Sequence, residues 1–589
     1  MAEFQNPQQE PGTERRLLLV FALTFLVIML FQFAMKKYGP QPPASKPEAT
    51  QAQNQQTVPT AQPATSTGTP PPTKSRPAKN VAAPASRQAS GETETVIEND
   101  LYRIVFTNRG GQVKSWILKD YKDRPDGNPL ELVNKVAADK YGYPLSLWLY
   151  DEGLRNKVNS ALYVASSTSS QAPAEVTFDY SDADVTVHKS YKFDHSYVVE
   201  TQTSVESKGS YVTAFPMWPA GFGDQIKGSD YAASQMAYQY DNKVERLAIK
   251  KISSGGTLPG PLHWAGIEDQ YFAAVFIPQD PQNAAVVTLR NTIEVAHDPS
   301  DPKNQQKDKV EILGVAVGNL KNPTSDRLYV GPKALEALEK IPVPGITGAE
   351  PDLRAIVDFG WWGLIARPLF LWLKWTHDHI VHNWGWAIII QTLIINLALL
   401  PLRISQMKSM LKMQRVSPQI KAIQEKYKKY SLRDPRKAEM NVEVSALYKK
   451  EGVNPAGGCL PLVIQMPFLF AYYRMLGVAI DLRHANWGWV HDLSAPDPWH
   501  ILPIAIVVTM FFMQRLTPQA GMDPTQQKMM NIMMPVMLGY ISLNLAAGLC
   551  LYWSMGNLIG FVQQSVMNRT TLGREMREMM EKRARKKDK

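Results

Sequence analysis

The chain has 589 residues, 64 Lys+Arg against 54 Asp+Glu, 44% apolar residues and two cysteines. An aromatic content of 10% excludes a wholly disordered chain, and two cysteines exclude a disulfide-stapled or cysteine-rich zinc architecture. The length points to more than one domain, and the composition differs between residues 1–350 and 351–589.

Residues 17–35, LLLVFALTFLVIMLFQFAM, form an uncharged stretch of the length that crosses a bilayer. Arg15 and Arg16 precede it, Lys36 and Lys37 follow it, and no small-residue cleavage site follows. This predicts an uncleaved signal-anchor within residues 1–38. Residues 39–94 come next as a linker. Up to residue 91 it has no aromatic residue and 11 of the 43 prolines, a composition that cannot bury a core. An all-β sandwich is predicted over 95–345. Tyr102, Ile104 and Phe106 alternate, Asn108-Arg109-Gly110-Gly111 turns the chain, and Val176, Phe178 and Tyr180 alternate again. A short helix at Pro332–Lys340 closes this domain.

Residues 354–380 carry Trp361, Trp362, Trp372 and Trp375 among Arg354, Arg367 and Lys374, with Pro368 interrupting. Tryptophan favours the membrane–water interface and long basic side chains snorkel there, so an interfacial amphipathic helix is predicted. His377, His379 and His382 have a spacing that is weak evidence for a metal, and they are read as interface histidines.

Five further spans are predicted, at 384–402, 458–480, 499–514, 529–545 and 549–567, giving six in all. The loop 403–457 holds thirteen basic and five acidic residues, and the tail 568–589 nine and four. Residues 481–498 hold three acidic residues and one arginine. Basic loops stay in the cytoplasm, which puts both termini inside and residues 38–383 outside. The basic loop reads as a helical hairpin, Arg403–Tyr430 and Arg436–Lys450, with a break at Ser417-Pro418. Its charge suits anionic lipid or ribosomal RNA.

Polar residues within apolar spans are the sharpest functional pointers. Span two has Gln391, Thr392 and Asn396, the last two on one helix face. Span three has Gln465 and Arg474, span five Asn531, Ser542 and Asn544, and span six Asn557, Gln563 and Gln564. Together they suit a hydrated groove; the alternative for each is an interhelical hydrogen bond. Methionines at 407, 410 and 413 and at 529, 530, 533, 534 and 537 suit either adaptable apolar surface or core filler. No nucleophile-elbow, zinc-protease or phosphate-loop motif occurs.

GVNPAGGCLPLVIQMP at 452–467, HDLSAPDP at 491–498, DPTQQKMMNIMMP at 523–535, AGLCLYWSMGNLIGFVQQ at 547–564 and YVGPK at 329–333 together resemble the YidC/Oxa/Alb family of membrane protein insertases in its Gram-negative form. The resemblance covers nearly all of the chain outside 39–91. It implies a multi-span α-helical membrane protein of the bacterial inner membrane, with a periplasmic β-supersandwich and a five-span insertase core over 384–567. It implies no enzymatic step and no cofactor. Nascent membrane proteins would be the substrates. The basic hairpin and tail would receive ribosomes or targeting factors, the periplasmic domain would meet the Sec translocon, and lipids would surround the spans. The groove residues so implied are Thr392, Asn396, Arg403, Gln465, Arg474, Tyr552 and Asn557. One departure stands out. The family usually has an arginine five residues before the proline that ends span two; here that proline is Pro401 and the position holds Asn396. Arg474 or Arg403 is the candidate replacement for the charge. A secondary transporter would instead show inverted repeats, and none is found. An envelope scaffold would lose its function with residues 95–320.

Overall fold

A computed structural model describes residues 86–578 apart from 126, 229, 242, 298–305, 347–350, 431–433, 454–459, 517–523, 572 and 576–577. The signal-anchor and most of the linker and tail therefore lie outside the described residues.

Strand alternation produces the β domain. Tyr102, Ile104, Phe106, Val176, Phe178 and Tyr180 all point inward, as a half-buried strand of period two requires. A ten-strand sheet runs in the order Lys243–Ala248, Gln235–Tyr240, Leu262–Glu268, Phe272–Pro278, Thr324–Pro332, Val198–Ser207, Val185–Phe193, Ala174–Ser181 and Val164–Ala165, with Ser210–Tyr211 paired beside Val198–Ser207. Two five-strand sheets accompany it, one around Gln112–Lys122 and Tyr102–Thr107, the other around Ala284–Ala296 and Lys307–Asn319. The large core they share includes Trp116, Trp218, Phe178 and Tyr191. At the turn expected after Asn108, Gly110 and Gly111 take positive φ of 68° and 55°, which only glycine adopts freely. The buried Lys189 ammonium donates to the carbonyls of Gly110, Gly111 and Leu145 and holds that turn in place.

Ordered pairing starts earlier than the composition suggests. Arg87 exchanges backbone hydrogen bonds with Ser181, and Thr93 donates to Asn108 Oδ1, so an existing sheet captures the end of a segment that cannot form a core alone.

The closing helix is shorter than expected, Leu335–Glu339. Beyond it the helical region comprises α1 (Gly363–His379), α2 (Trp384–Ala398), α3 (Leu400–Lys426), α4 (Arg436–Lys450), α5 (Leu460–Val478), α6 (Ile501–Leu516), α7 (Pro524–Ser542) and α8 (Ala547–Arg569). Neither Pro368 nor Pro418 breaks its helix. The expected break at Ser417-Pro418 is absent because Val416 and Ile420 pack with Val453 and residues of α4, which outweighs one lost backbone hydrogen bond. Span two is divided where the sequence suggests one continuous segment: α2 and α3 meet at a 49° bend. Among the described residues no single helix is long and apolar enough to cross a membrane; α2 with α3 passes as a bent pair. The HDLSAPDP motif is a helix start, with Asp497 accepting from Leu502 N, Trp499 N and Trp489 Nε1 ahead of α6.

The β domain and the helices are not separate bodies. One apolar cluster runs from Trp264, Val275 and Tyr329 of the large sheet, through Leu353 and Phe359, to Leu373, Ile388, Tyr472 and Tyr552 of the helices. Ile480, just past α5, is buried in the β-domain core.

Within that core Asp326 is fully buried, its Oδ2 has no hydrogen-bond partner among the described residues, and burial pushes its carboxyl up to about 8. Between about pH 4, the ordinary carboxylate value, and about pH 8, the folded chain holds a proton that the unfolded chain has released. Stability therefore falls as pH rises through that window and levels off above it. Asp326→Asn should flatten this fall and raise the melting temperature at pH 8 in detergent. Parallel wild-type and variant melting curves from pH 5 to 9 would contradict this.

Candidate functional site

The polar residues of α2, α5 and α8 form one seam. It begins with the bend. Pro401 lies in the first turn of α3 and has no N–H to give the Leu397 carbonyl, Leu399 N closes the last turn of α2 on Ile395 O, and α3 sets off at 49°. That places Arg403 so that its Nη2 reaches back 2.8 Å to Asn396 Oδ1. Asn396 Nδ2 donates to the carbonyl of Thr392 at 2.8 Å, and Thr392 Oγ1 to that of Ile388 at 2.6 Å. From the opposite side Gln563 Nε2 of α8 donates to Asn396 O at 3.1 Å. Thr392 and Asn396 are both buried, so their hydrogen bonds replace water that is absent there.

One and a half turns before Asn396, Gln391 Nε2 donates to Leu369 O of α1 at 3.0 Å, and Gln391 Oε1 accepts from the hydroxyl of Tyr472. Tyr472 stacks on Tyr552 with ring centroids 4.0 Å apart. Two glycines of α8 give the seam its room. A Cβ on Gly556 would make ordinary contact with Asn396 and Thr392, whereas one on Gly560 would lie 2.7 Å from Arg403 Nη1 and 3.1 Å from Met513 Sδ. Tyr552, Gly556, Gly560 and Gln563 are spaced to share one face of α8. Not every polar atom here is satisfied. Asn557 Nδ2 and Gln563 Oε1 of α8, with Gln514 Oε1 of α6, are buried without a hydrogen-bond partner among the described residues, an arrangement suited to water or a polar guest.

Of the residues singled out in the sequence, Thr392, Asn396 and Arg403 are joined directly, and Tyr552 joins the seam through Tyr472 and Gln391. Asn557 is buried on α8 beside Gly556. Gln465, two turns before Tyr472, is half-buried and shares none of these bonds. Arg474 is elsewhere: it lies one turn from the end of α5 and its Nη2 pairs with Asp358 Oδ2 at 2.6 Å. Its charge is matched by Asp358, away from the Asn396–Arg403 contact. Gly556, Gly560 and Tyr472 were missed. The four-residue spacing of the glycines, which lets helices approach closely, and a tyrosine hydroxyl within an apolar helix were the available signals. The histidines of HDHIVH are stacking partners, His377 on Trp384 and His379 on Trp375. Among the described residues no group of three or more His, Cys, Asp or Glu could hold a metal.

Residues 94–372 match the family model described as YidC periplasmic domain, and residues 375–574 the model described as 60Kd inner membrane protein. The Membrane protein insertase YidC of Geobacter metallireducens is 32% identical over 84% of this chain and 88% of its own length. The chain belongs to the YidC membrane protein insertase family. The Membrane protein insertase YidC of Syntrophus aciditrophicus is 30% identical over 94% of this chain and 99% of its own length. A crystal structure titled as an active YidC insertase with its first transmembrane domain resolved covers 82% of this chain and 95% of its own, at 18% identity and a TM-score of 0.34.

Gly560→Ala should leave the fold intact, since alanine favours a helix over glycine by about 1 kcal/mol, yet push the Arg403 guanidinium off Asn396. The expected result is severalfold lower membrane insertion at an unchanged or higher melting temperature. Normal insertion by this variant would show that the Arg403 position is immaterial.

Proposed function

We propose that this chain inserts nascent membrane proteins into the bacterial inner membrane, using the seam between α2, α5 and α8 as the path for their polar flanks. The observation that carries this reading is the Arg403 guanidinium held on Asn396 among buried, partly unpartnered polar groups. A cation there supplies the charge that Asn396 lacks. It would draw acidic residues of an incoming segment away from the cytoplasm, while the apolar part passes into lipid.

The other helix faces support the membrane setting. Ile504, Val508, Phe512, Val536, Val562 and Val566 are large, apolar and exposed, which a water-facing surface does not sustain. With a signal-anchor before the β domain and α2–α3, α5, α6, α7 and α8 in the bilayer, the chain crosses six times. The loop charges put both termini in the cytoplasm and residues 38–383 in the periplasm. Trp361 just before α1, and Leu364 and Trp375 on it, are exposed while Leu369, Phe370 and Leu373 are buried, as suits a helix lying on the outer surface.

No nucleotide is needed. A substrate helix of about 20 strongly apolar residues gains roughly 6–12 kcal/mol on entering the bilayer, enough to drive the reaction. The basic hairpin α3–α4 and the tail are the surfaces for ribosomes and targeting factors, and the β domain is the surface for the Sec translocon.

Proteoliposomes holding only this protein should protect a short single-span substrate from protease without nucleotide, above empty liposomes. Absence of protection, with a control insertase active in parallel, would overturn autonomous insertion. Arg403→Ala removes the cation of the seam and should lower initial insertion rates severalfold, with Arg403→Lys intermediate. An Arg403→Ala protein inserting at the wild-type rate would remove Arg403 from the mechanism.

A further inference from the structure

Arg474 is left unexplained by the seam. It lies one turn from the end of α5 and two residues past Tyr472, the ring that stacks on Tyr552. Its guanidinium sits over Gly360, whose φ is +62° and where a Cβ would lie 3.2 Å from Arg474 Nε. Asp358 is held on both sides: Oδ1 accepts from Gly360 N at 2.8 Å and Oδ2 from Arg474 Nη2 at 2.6 Å. One turn back along α5, Phe470 stacks on Trp362 at 5.5 Å.

The pair does not end there. Burial alone would raise the Asp358 carboxyl, but Arg246 and Arg474 outweigh it and hold it below the usual carboxylate range. Arg246 belongs to the edge strand Lys243–Ala248 of the large sheet. Its Nη2 donates to Ala355 O at 2.8 Å and Ile356 O at 3.1 Å, and its Nε to Glu268 Oε1 at 3.3 Å. Glu268 Oε2 in turn accepts from the buried Lys333 ammonium at 2.8 Å. Lys333, Glu268 and Arg246 thus form one run of ion pairs, Asp358 and Arg474 another, and Arg246 joins the two through the Ala355 and Ile356 carbonyls, from the interior of the β domain to the helix that carries Tyr472.

We propose that Arg474 is a positioning residue, and that the polar contacts running from Lys333 through Arg246 and the 355–358 segment to Arg474 make the β domain a brace that sets α5, and with it Tyr472, against α2 and α8. The pairing is a claim about this chain's own architecture; only its consequence for insertion rests on the groove reading. A brace of this kind acts through distance. If Asp358 lets go, the outer end of α5 is freed from the segment before α1, and the Tyr472 hydroxyl shifts relative to Gln391.

Amide hydrogen exchange on the full chain in lipid nanodiscs tests this without substrate. Asp358→Asn and Arg474→Gln should each raise exchange severalfold over residues 472–480 as well as 355–362, and Arg246→Gln should do the same more weakly. The double variant Asp358→Asn/Arg474→Gln should be no worse than either single one, and Arg474→Lys should restore protection in part. Initial insertion rates should follow the same order, with melting temperatures little changed. Exchange rising only over 355–362, with 472–480 unaltered, would overturn the brace. An additive double variant would also overturn it, since Arg474 would then act on something other than Asp358, such as a lipid phosphate. Failure of the groove reading would be distinguishable: Arg403→Ala would insert normally while the exchange pattern stood.

Discussion

A helix that stops at Ala398 and restarts at Leu400 allows one arginine to reach backwards. The 49° bend and the short step from Asn396 to Arg403 put a guanidinium on the asparagine side chain. The surrounding choices depend on that contact. Gly560 leaves space for the guanidinium, Gln563 occupies the Asn396 carbonyl, and Thr392 occupies the Asn396 amide. A buried polar network is worth keeping only when its members satisfy one another. Here the satisfied part lies on α2 and α3, and the unsatisfied atoms lie on α8 and α6. The seam is thus rigid on one wall and available on the other, which suits a passage for varied polar segments better than a specific pocket.

The β domain bears on the same geometry. Its large sheet shares an apolar cluster with the helices, and Ile480 enters its core from the loop after α5. Polar contacts add direction to that apolar adhesion. Gln270 Nε2 donates to Gly477 O at 3.0 Å, Arg483 Nη1 to Lys122 O at 2.9 Å, and Lys374 lies within 4 Å of Glu336, Asp378 and Asp481. Every one of these links meets α1, the last turn of α5, or the loop after it. The β domain therefore grips the outer end of the helix bundle, while the seam with Arg403 lies further along the same helices.

Much of this was legible in the sequence. Strand alternation located the β domain, because period-two burial is a local property, and the intervals of Trp361 to Trp375 located α1. The polar pair Thr392 and Asn396 was recognised because residues four apart share a helix face. What the sequence hid was non-local. Nothing in it says that Arg474 would meet Asp358, more than a hundred residues away, so its position in an apolar run pointed to the groove. Pro418 signals a break by its local effect, whereas the packing of Val416 and Ile420 that overrides it is supplied by residues of α4 and by Val453. The capture of Arg87 by the strand ending at Ser181 is likewise supplied by a sheet formed elsewhere in the chain. Family resemblance flagged the absent arginine at position 396; only coordinates could show a second arginine reaching the same place.

A substrate that travels along the seam, and not merely along the lipid-facing surface, must pass within reach of the seam's side chains. Site-specific photo-cross-linking to a ribosome-stalled single-span segment tests it most directly, with the photoreactive residue placed at 396, 552 or 563 and, for comparison, at 504 on the outward face of α6. Strong adducts are expected from 396, 552 and 563 while the polar flank is in transit, weak ones from 504, and loss of the seam adducts in Arg403→Ala. Strong adducts from 504 with none from the three seam positions would contradict it.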